Sequence, residues 1–284
     1  MCRLFGFKGK FPTKLSFFLV DASNSLAKQS VLDSRNICNN QGWGIGFYQY
    51  GKAYIQKRAC CAYFDFNFRL LTDFVETNTM IAHVRDATVG DISDHNAHPF
   101  MYKNWVFAHN GTIVNFDKLK PGILNEIGIT LANDIKGTTD SEFLFYLFIT
   151  YLKKNIEDIT IEEIPSNIIK KSLHETLCHV IDLGKSINNN EEHKLNVIVT
   201  NGHTMVASRY NNSLYYAVRK EALNNQVKLY KDRVNLNIEL QCPDDNESII
   251  VASEMLDIED EWHEFKNGTI LSIDDTLELN FMDL

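Results

Sequence analysis

The sequence is short of positive charge, of long apolar runs and of paired cysteines, and each shortage excludes something. Lys and Arg number 28 against 37 Asp and Glu, a formal net charge of −9. That balance gives no support to binding of nucleic acid or of an anionic membrane, both of which need a basic patch. The longest apolar stretches, such as Phe143 to Thr150, fall far short of the roughly 20 residues that cross a bilayer. The N-terminal MCRLFGFKGK has basic residues but lacks the apolar run and small-residue cleavage site of a secretory signal, so a cytoplasmic location is expected. The six cysteines, Cys2, Cys38, Cys60, Cys61, Cys178 and Cys242, show no C-x-x-C spacing, and in a reducing compartment they are expected as free thiols. No repeat, low-complexity tract or linker divides the chain, which reads as one domain over residues 1–284.

What is present is an ordinary globular composition. The chain has 284 residues, 44% hydrophobic and 23% charged, enough to bury a real core. Residues 15–32 carry apolar residues at helical spacing, 66–76 look helical, and 166–186 form another expected helix. Thr139 can cap a strong helix, because T-D-S-E-F puts acidic residues in the first turn with FLFYLFITYL behind them. WGIGFYQY, a turn at Gly51 and KAYIQK read as a hairpin whose first strand contains glycines that allow close backbone approach. TMIAHVRDA alternates like a half-buried strand, WVFAHNG reads as a short strand ending in a Gly turn, and residues 115–137 have no clear pattern. The remainder is β-rich: KLNVIVTNG, TMVASRY, SLYYAVR, SIIVASE and GTILSID. Blocks of strands and helices without a regular βαβ rhythm predict an α+β fold with antiparallel sheets.

Cys2 has an unusual position. It follows the initiator Met, which is normally removed before so small a side chain, leaving a cysteine with both a thiol and a free α-amine. An α-amine of pKa about 7.7 to 8.0 suits a general base, and a thiol of pKa about 8.5 is a usable nucleophile. Nucleophile and base would then belong to one residue.

Four further segments follow in order: QGWGIGFY (41–48), HVRDATVG (83–90), NAHPF (96–100) with AHNGT (108–112), and TDSE (139–142). Together with Met-Cys they resemble the class II glutamine amidotransferases, members of the N-terminal-nucleophile (Ntn) hydrolases. The nearest likeness is to the stand-alone YafJ-like branch, to which VASEMLDIEDEW (251–262) is also similar. The resemblance implies a four-layer αββα sandwich with two antiparallel sheets. It also implies that Cys2 attacks the γ-carboxamide of a glutaminyl group, while Asn110 and Gly111 form the oxyanion hole.

The same resemblance implies that Arg85 clamps the substrate α-carboxylate, that Asp140 binds its α-ammonium, and that Thr88 is a further donor. His98, Gly42 and Trp43 are expected in supporting roles, with His98 bracing the adjacent loop. Each residue also has a plainer reading. Asn-Gly favours a tight turn, an arginine can belong to an ion pair, and an Asp in a first helical turn can be a cap. The chain departs from the family pattern at Gln41, where an Asp is usual; Gln keeps hydrogen bonding and loses charge.

His83, His95, His98 and His109 lie close in sequence but match no metal-binding spacing, and no cofactor is called for. The implied reaction releases glutamate and ammonia or an amine from a small γ-glutamyl substrate. An ammonia acceptor, such as a separate synthase subunit, would have to be a partner protein or not exist. Hydrolysis of glutathione-like or other γ-glutamyl conjugates is the alternative reaction, and a catalytically silent binding protein of the same fold is the alternative of another class.

Overall fold

The computed structural model describes residues 2–187, 192–219, 246–258 and 260–284. The polar segment SINNNEEH (186–193), which follows the last expected helix and reads as a surface loop, lies partly, and Cys242 wholly, outside the described residues. In chain order the elements begin with β1 (Arg3–Lys14), a π-helical turn (Phe17–Asp21), α1 (Leu26–Val31), β2 (Trp43–Gln49), β3 (Lys52–Arg58), α2 (Phe66–Phe74) and β4 (Glu76–Val84). They continue with β5 (Phe100–Tyr102), β6 (Trp105–Thr112), α3 (Phe116–Ile127), α4 (Ile129–Ala132), α5 (Asp140–Asn155) and α6 (Ser166–Ile187). The C-terminal part contributes β7 (Lys194–Thr200), β8 (Met205–Arg209), β9 (Tyr215–Arg219), β10 (Ser248–Ala252), β11 (Trp262–Glu264), β12 (Thr269–Ile273) and β13 (Leu279–Asp283).

The strands form two antiparallel sheets, ordered β11-β9-β10-β1-β4-β2-β3 and β13-β12-β8-β7-β6-β5. Period-two alternation sorts their side chains into layers. Phe5, Phe7, Trp43, Ile45, Met80 and Ala82 of the first sheet pack outward against Leu26 and Ala27 of α1 and Phe68 of α2. Trp105, Phe107, Val197 and Val199 of the second sheet pack outward against α3, α5 and α6. Between the sheets lie Leu4, Ile81, Ile249 and Val251 from one and Val106, Ala108, Ile198 and Ala207 from the other. The result is the expected four-layer αββα sandwich.

The capped helix starts where its sequence places it: the Thr139 hydroxyl accepts the Glu142 N–H at 3.3 Å. Every residue from Asp140 to Thr150 is buried, as a helix that is apolar on all faces requires. The WGIG glycines serve close approach. A Cβ on Gly44 would lie 2.0 Å from the His98 carbonyl oxygen, and one on Gly46 would lie 2.6 Å from Val106.

Three expectations need correction. The helix read over 15–32 is broken into the π-helical turn and α1, because Ser25 caps a new helix by accepting the Lys28 N–H. The patternless stretch 115–137 contains α3 and α4; Pro121 obscures α3, whose Phe116, Leu119, Ile123 and Ile127 are nevertheless buried in the core. Finally, Asn110 and Gly111 do not turn. They continue β6, paired with Asn196 and Leu195, because the ladder outweighs the local turn preference.

Candidate active site

The same alternation that buries the inter-sheet core produces polar side chains where the strands run out. Leu4 faces the other sheet, so Cys2 does too; Ile81 leads through His83 to Arg85; Val106 and Ala108 lead to Asn110; Ile249 and Val251 lead to Ser253. On β1, Arg3 pairs with Val84 of β4, so Cys2 and Arg85 extend that register. On the other side of β1, Phe5 pairs with Ala252 of β10, and the Ser253 N–H donates to the Leu4 carbonyl at 2.9 Å. Cys2 therefore has Arg85 directly across on one flank, one strand spacing away, about 4.8 Å, while on the other flank Ser253 lies opposite Leu4, diagonal to Cys2.

Cys2 is partly exposed as a residue, while its sulfur is turned inward against the Asp86 backbone. It donates to the Asp86 carbonyl at 3.3 Å and accepts the Asp86 N–H at 3.4 Å. Burial pushes the thiol pKa up, and the Asp86 backbone and Arg85 reverse only part of that. A thiol so placed is protonated at neutral pH and needs a base to become a nucleophile. Its backbone is fixed as well: Arg3 Nη1 donates to the Cys2 carbonyl at 2.9 Å.

Asn110 is buried, with Nδ2 2.8 Å from Ser253 Oγ. Its Oδ1 has no hydrogen-bond partner among the described residues. Ser253 Oγ also accepts the Leu4 N–H at 3.0 Å, so this serine ties the amide of Asn110 to the residue two after the nucleophile. Gly111 must be glycine: a Cβ there would lie 1.8 Å from the Lys194 carbonyl oxygen.

Arg85 is buried and serves its own loop in this structure. Nη1 donates to the Asp91 carbonyl at 3.0 Å, and Nη2 to Val89 at 2.9 Å and Gly90 at 3.2 Å. A guanidinium has five donors, so two are left over. Gly42 accepts the Arg85 N–H at 2.8 Å, and the Gln41 N–H returns a bond to the Arg85 carbonyl. Gln41 Oε1 accepts the Ala87 N–H at 2.7 Å, a task that needs an oxygen and no charge. Trp43 points to the outer layer, where Nε1 donates to Asp65 at 2.9 Å. Thr88 is exposed.

Asp140 is the first residue of α5 and is buried. Oδ2 accepts the Ile113 N–H at 2.8 Å and Oδ1 the Ser141 hydroxyl at 3.3 Å. Ser141 Oγ also meets His109 Nδ1 at 2.9 Å. Asp140 therefore fastens the end of β6 to α5 and keeps further lone pairs. The first-turn reading of this residue is accordingly part of the structure.

Three buried histidines lie beneath these groups. His83 and His98 stack with ring centroids 4.2 Å apart. Neither ring of this pair has a hydrogen bond of ordinary geometry among the described residues, although His83 faces the backbone of His109. Burial pushes the His83 pKa down to about 3, and Arg85 and His109 add to the effect. Burial likewise holds His98 well below its usual range, and it lowers His109 despite the nearby Asp140. All three are neutral at physiological pH. Among the described residues no group of His, Cys, Asp or Glu forms a metal-binding cluster, and no helix is long and apolar enough to cross a membrane.

The sequence reading missed Ser253, Arg3, Asp33 and Glu254. The Arg3 guanidinium lies 2.6 Å from both Asp33 and Glu254, and all three side chains are buried. The VASE segment was a usable signal for Ser253 and Glu254, but nothing local marks Asp33.

Over residues 1–280 the chain matches the family of class-II glutamine amidotransferases. It is 31% identical, over 299 aligned positions, to the probable glutamine amidotransferase DUG3 of Saccharomyces cerevisiae, spanning 96% of this chain and 82% of that one. The chain is a class II glutamine amidotransferase by family. This amidotransferase is also 30% identical over 117 positions to the gamma-glutamyl-hercynylcysteine sulfoxide hydrolase of Mycobacterium tuberculosis, covering 40% of this chain and 50% of the hydrolase. A glutamine aminotransferase class-II domain protein from Silicibacter pomeroyi superposes with a TM-score of 0.65 at 19% identity, covering 100% of the amidotransferase and 99% of that chain. That likeness establishes the shared Ntn-type sandwich.

Proposed function

We propose that the mature chain, beginning at Cys2, hydrolyses a γ-glutamyl amide through a thioester on that cysteine. The α-amine of Cys2 takes the thiol proton, and the sulfur attacks the γ-carboxamide carbon. The resulting oxyanion is stabilised by the amide of Asn110 and the backbone N–H of Gly111. Collapse breaks the C–N bond, and the α-ammonium returns its proton to the departing ammonia or amine. Water then adds to the thioester and releases glutamate.

The observation that supports this reading is the meeting of Cys2, Arg85, Asn110 and Ser253 at the ends of facing strands, all aimed into one inter-sheet layer. The raised thiol pKa fits a nucleophile that relies on its own amine. Ser253 accounts for the set of the Asn110 amide. Its oxygen already accepts from Leu4 and still has a proton to give. A half-turn of the amide about χ2 lets that proton go to Oδ1, now without a partner, and leaves both Nδ2 protons for the oxyanion. The two remaining donors of Arg85 take the substrate α-carboxylate, with Thr88 at the rim, and the remaining lone pairs of Asp140 take the α-ammonium. His98, Gly42 and Trp43 support the loop that carries Arg85.

A panel of glutamine, glutathione and other γ-glutamyl amides, assayed for glutamate release, tests the reading. Release from at least one member, abolished in Cys2→Ala, is expected. Release that persists in a folded Cys2→Ala protein, or no release from any member by protein starting at Cys2, contradicts it.

A further inference from the structure

Helix α2 presents aromatic side chains on two opposite faces, and only one face packs against the sheet. At about 100° per residue, Phe68 and Thr72 point inward and are buried, with the Phe68 ring edge-on to Trp43 at 5.2 Å between centroids. The opposite face carries Phe66, Leu70 and Phe74, spaced one turn apart. They are 71%, 41% and 75% exposed. Phe64, 77% exposed, extends this stripe past the Asp65 cap. Ser30 Oγ accepts the Tyr63 N–H at 3.1 Å, which places the end of α1, with exposed Leu32, beside the same turn. Single apolar residues on a surface are ordinary, whereas a contiguous stripe of this kind marks an interaction site.

We propose that the stripe is the two-fold interface of a homodimer, in which α2 of one copy lies antiparallel on α2 of the other. The charges choose this occupant. Arg69 and Asp73 flank the stripe on the same side, and both are exposed. A two-fold axis beside Leu70 sets Phe66 against Phe74 of the second copy and turns each flank toward its own equivalent. Arg69 of one chain then stands about 3 Å along the helix from Asp73 of the other, from a rise of about 1.5 Å per residue, well within an arginine's reach. Symmetry forms the reciprocal pair. Arg69 also donates to the Tyr63 carbonyl, from Nε at 3.4 Å and Nη2 at 3.3 Å, and a guanidinium has further donors for the carboxylate. An anionic lipid surface is a poor alternative for a chain of net charge −9.

The area is of the right order. Phe64, Phe66 and Phe74, each about three-quarters exposed, offer on the order of 450 Å² per copy at roughly 200 Å² for a whole aromatic side chain. A standard interface takes about 800 Å² from each partner, and Leu70, Leu32 and the charged rim supply much of the difference. The dimer also leaves the reaction centre uncovered. Helix α2 lies outside the first sheet, against Trp43, whereas Cys2, Arg85 and Asn110 belong to the layer between the sheets. The inference is therefore independent of the reaction proposed above.

Sedimentation equilibrium of the full chain tests this. The wild-type protein should sediment at twice the chain mass at micromolar concentration. Leu70→Arg sets like charges together beside the axis and should raise the dimer dissociation constant roughly a hundredfold, with the circular dichroism of the fold unchanged. Asp73→Arg should weaken the dimer roughly ten- to thirtyfold, because two attractive contacts become repulsive. Adding Arg69→Asp to the same chain should restore most of that loss, since both pairs re-form with their signs exchanged. A monomeric wild-type chain, a dimer that survives Leu70→Arg, or an Asp73→Arg defect that Arg69→Asp leaves unchanged or deepens overturns the proposal. A monomer that floats with phosphatidylcholine vesicles overturns it too, and identifies the stripe as a membrane face.

Discussion

Strand β1 carries two buried cations, Arg3 at its start and Lys8 midway along it, and the two are held in different ways. Arg3 lies in the outer layer, where its planar fork reaches Asp33, Glu254 and the Cys2 carbonyl together. Lys8 lies between the sheets, where its three protons go to Asp275 Oδ1 at 2.5 Å, the Gly202 carbonyl at 3.0 Å and Thr79 Oγ1 at 3.2 Å. Asp33 and Glu254 are nearly inaccessible, whereas the Asp275 side chain is 56% exposed. At the Cys2 end a guanidinium balances two buried carboxylates and sets the backbone of the nucleophile. At mid-strand an ammonium closes the sandwich by tying together the loops after β7 and β12. One strand thus combines a reactive end that depends on a buried charge network with a middle that needs only a point charge.

Removing the guanidinium should have the largest effect. Arg3→Met leaves Asp33 and Glu254 facing each other without a counter-charge, and the loss of a partner from a buried ion pair costs about 3–5 kcal/mol. Denaturant unfolding should show that loss. Arg3→Lys should recover part of the stability but less of kcat, because a lysine cannot span two carboxylates and the Cys2 carbonyl. Equal recovery of both would make Arg3 a structural residue only.

The matching change at Lys8 should cost less. In Lys8→Met, Asp275 can turn to water and Thr79 Oγ1 still donates to the Gly202 carbonyl at 2.8 Å, so the penalty is the loss of the ammonium's own hydrogen bonds, about 1–3 kcal/mol. Glutamate release per folded molecule should stay near the wild-type rate. A fall in kcat as large as that of Arg3→Met would erase the distinction between the two cations.

Acid should separate the two regions further. His83 titrates near 3 in the folded protein, against about 6.5 when unfolded. The unfolded chain therefore takes up the proton first, and stability present above pH 6.5 is lost progressively as the pH falls toward 3. At pH 5 the loss from this residue is about 2 kcal/mol. His98, lowered in the same direction, adds to the slope. His83→Asn should give a flatter plot of stability against pH between 7 and 5, and an unchanged slope would mean that the ring is already protonated when folded.

The reactive end was legible in the sequence to the extent that its residues are adjacent in the chain or carry a distinctive chemistry. Cys2, the H-x-R of β4 and the Asn-Gly of β6 stand out, and strand periodicity alone gives the facing of Arg85 and Asn110. The capped start of α5 was equally readable from Thr139 to Glu142. Ser253 and Glu254 act on residues about 250 positions earlier, so their roles exist only after β10 pairs with β1. Asp33 is an unremarkable acid in a loop until Arg3 reaches it. The same long-range pairing explains why Asn110 and Gly111 are strand residues although the dipeptide by itself favours a turn.

The central claim is that the free α-amine and thiol of Cys2 do the chemistry, and one experiment addresses it directly. Purified protein is treated with a diazo-ketone analogue of glutamine, then examined by intact-mass and peptide mapping alongside its activity. The account predicts that active molecules begin at Cys2, and that one equivalent of inhibitor attaches to Cys2 and to none of the other five cysteines as activity disappears. Molecules that keep Met1 and hydrolyse γ-glutamyl amides at full rate, or inactivation with the label on another residue, would contradict it.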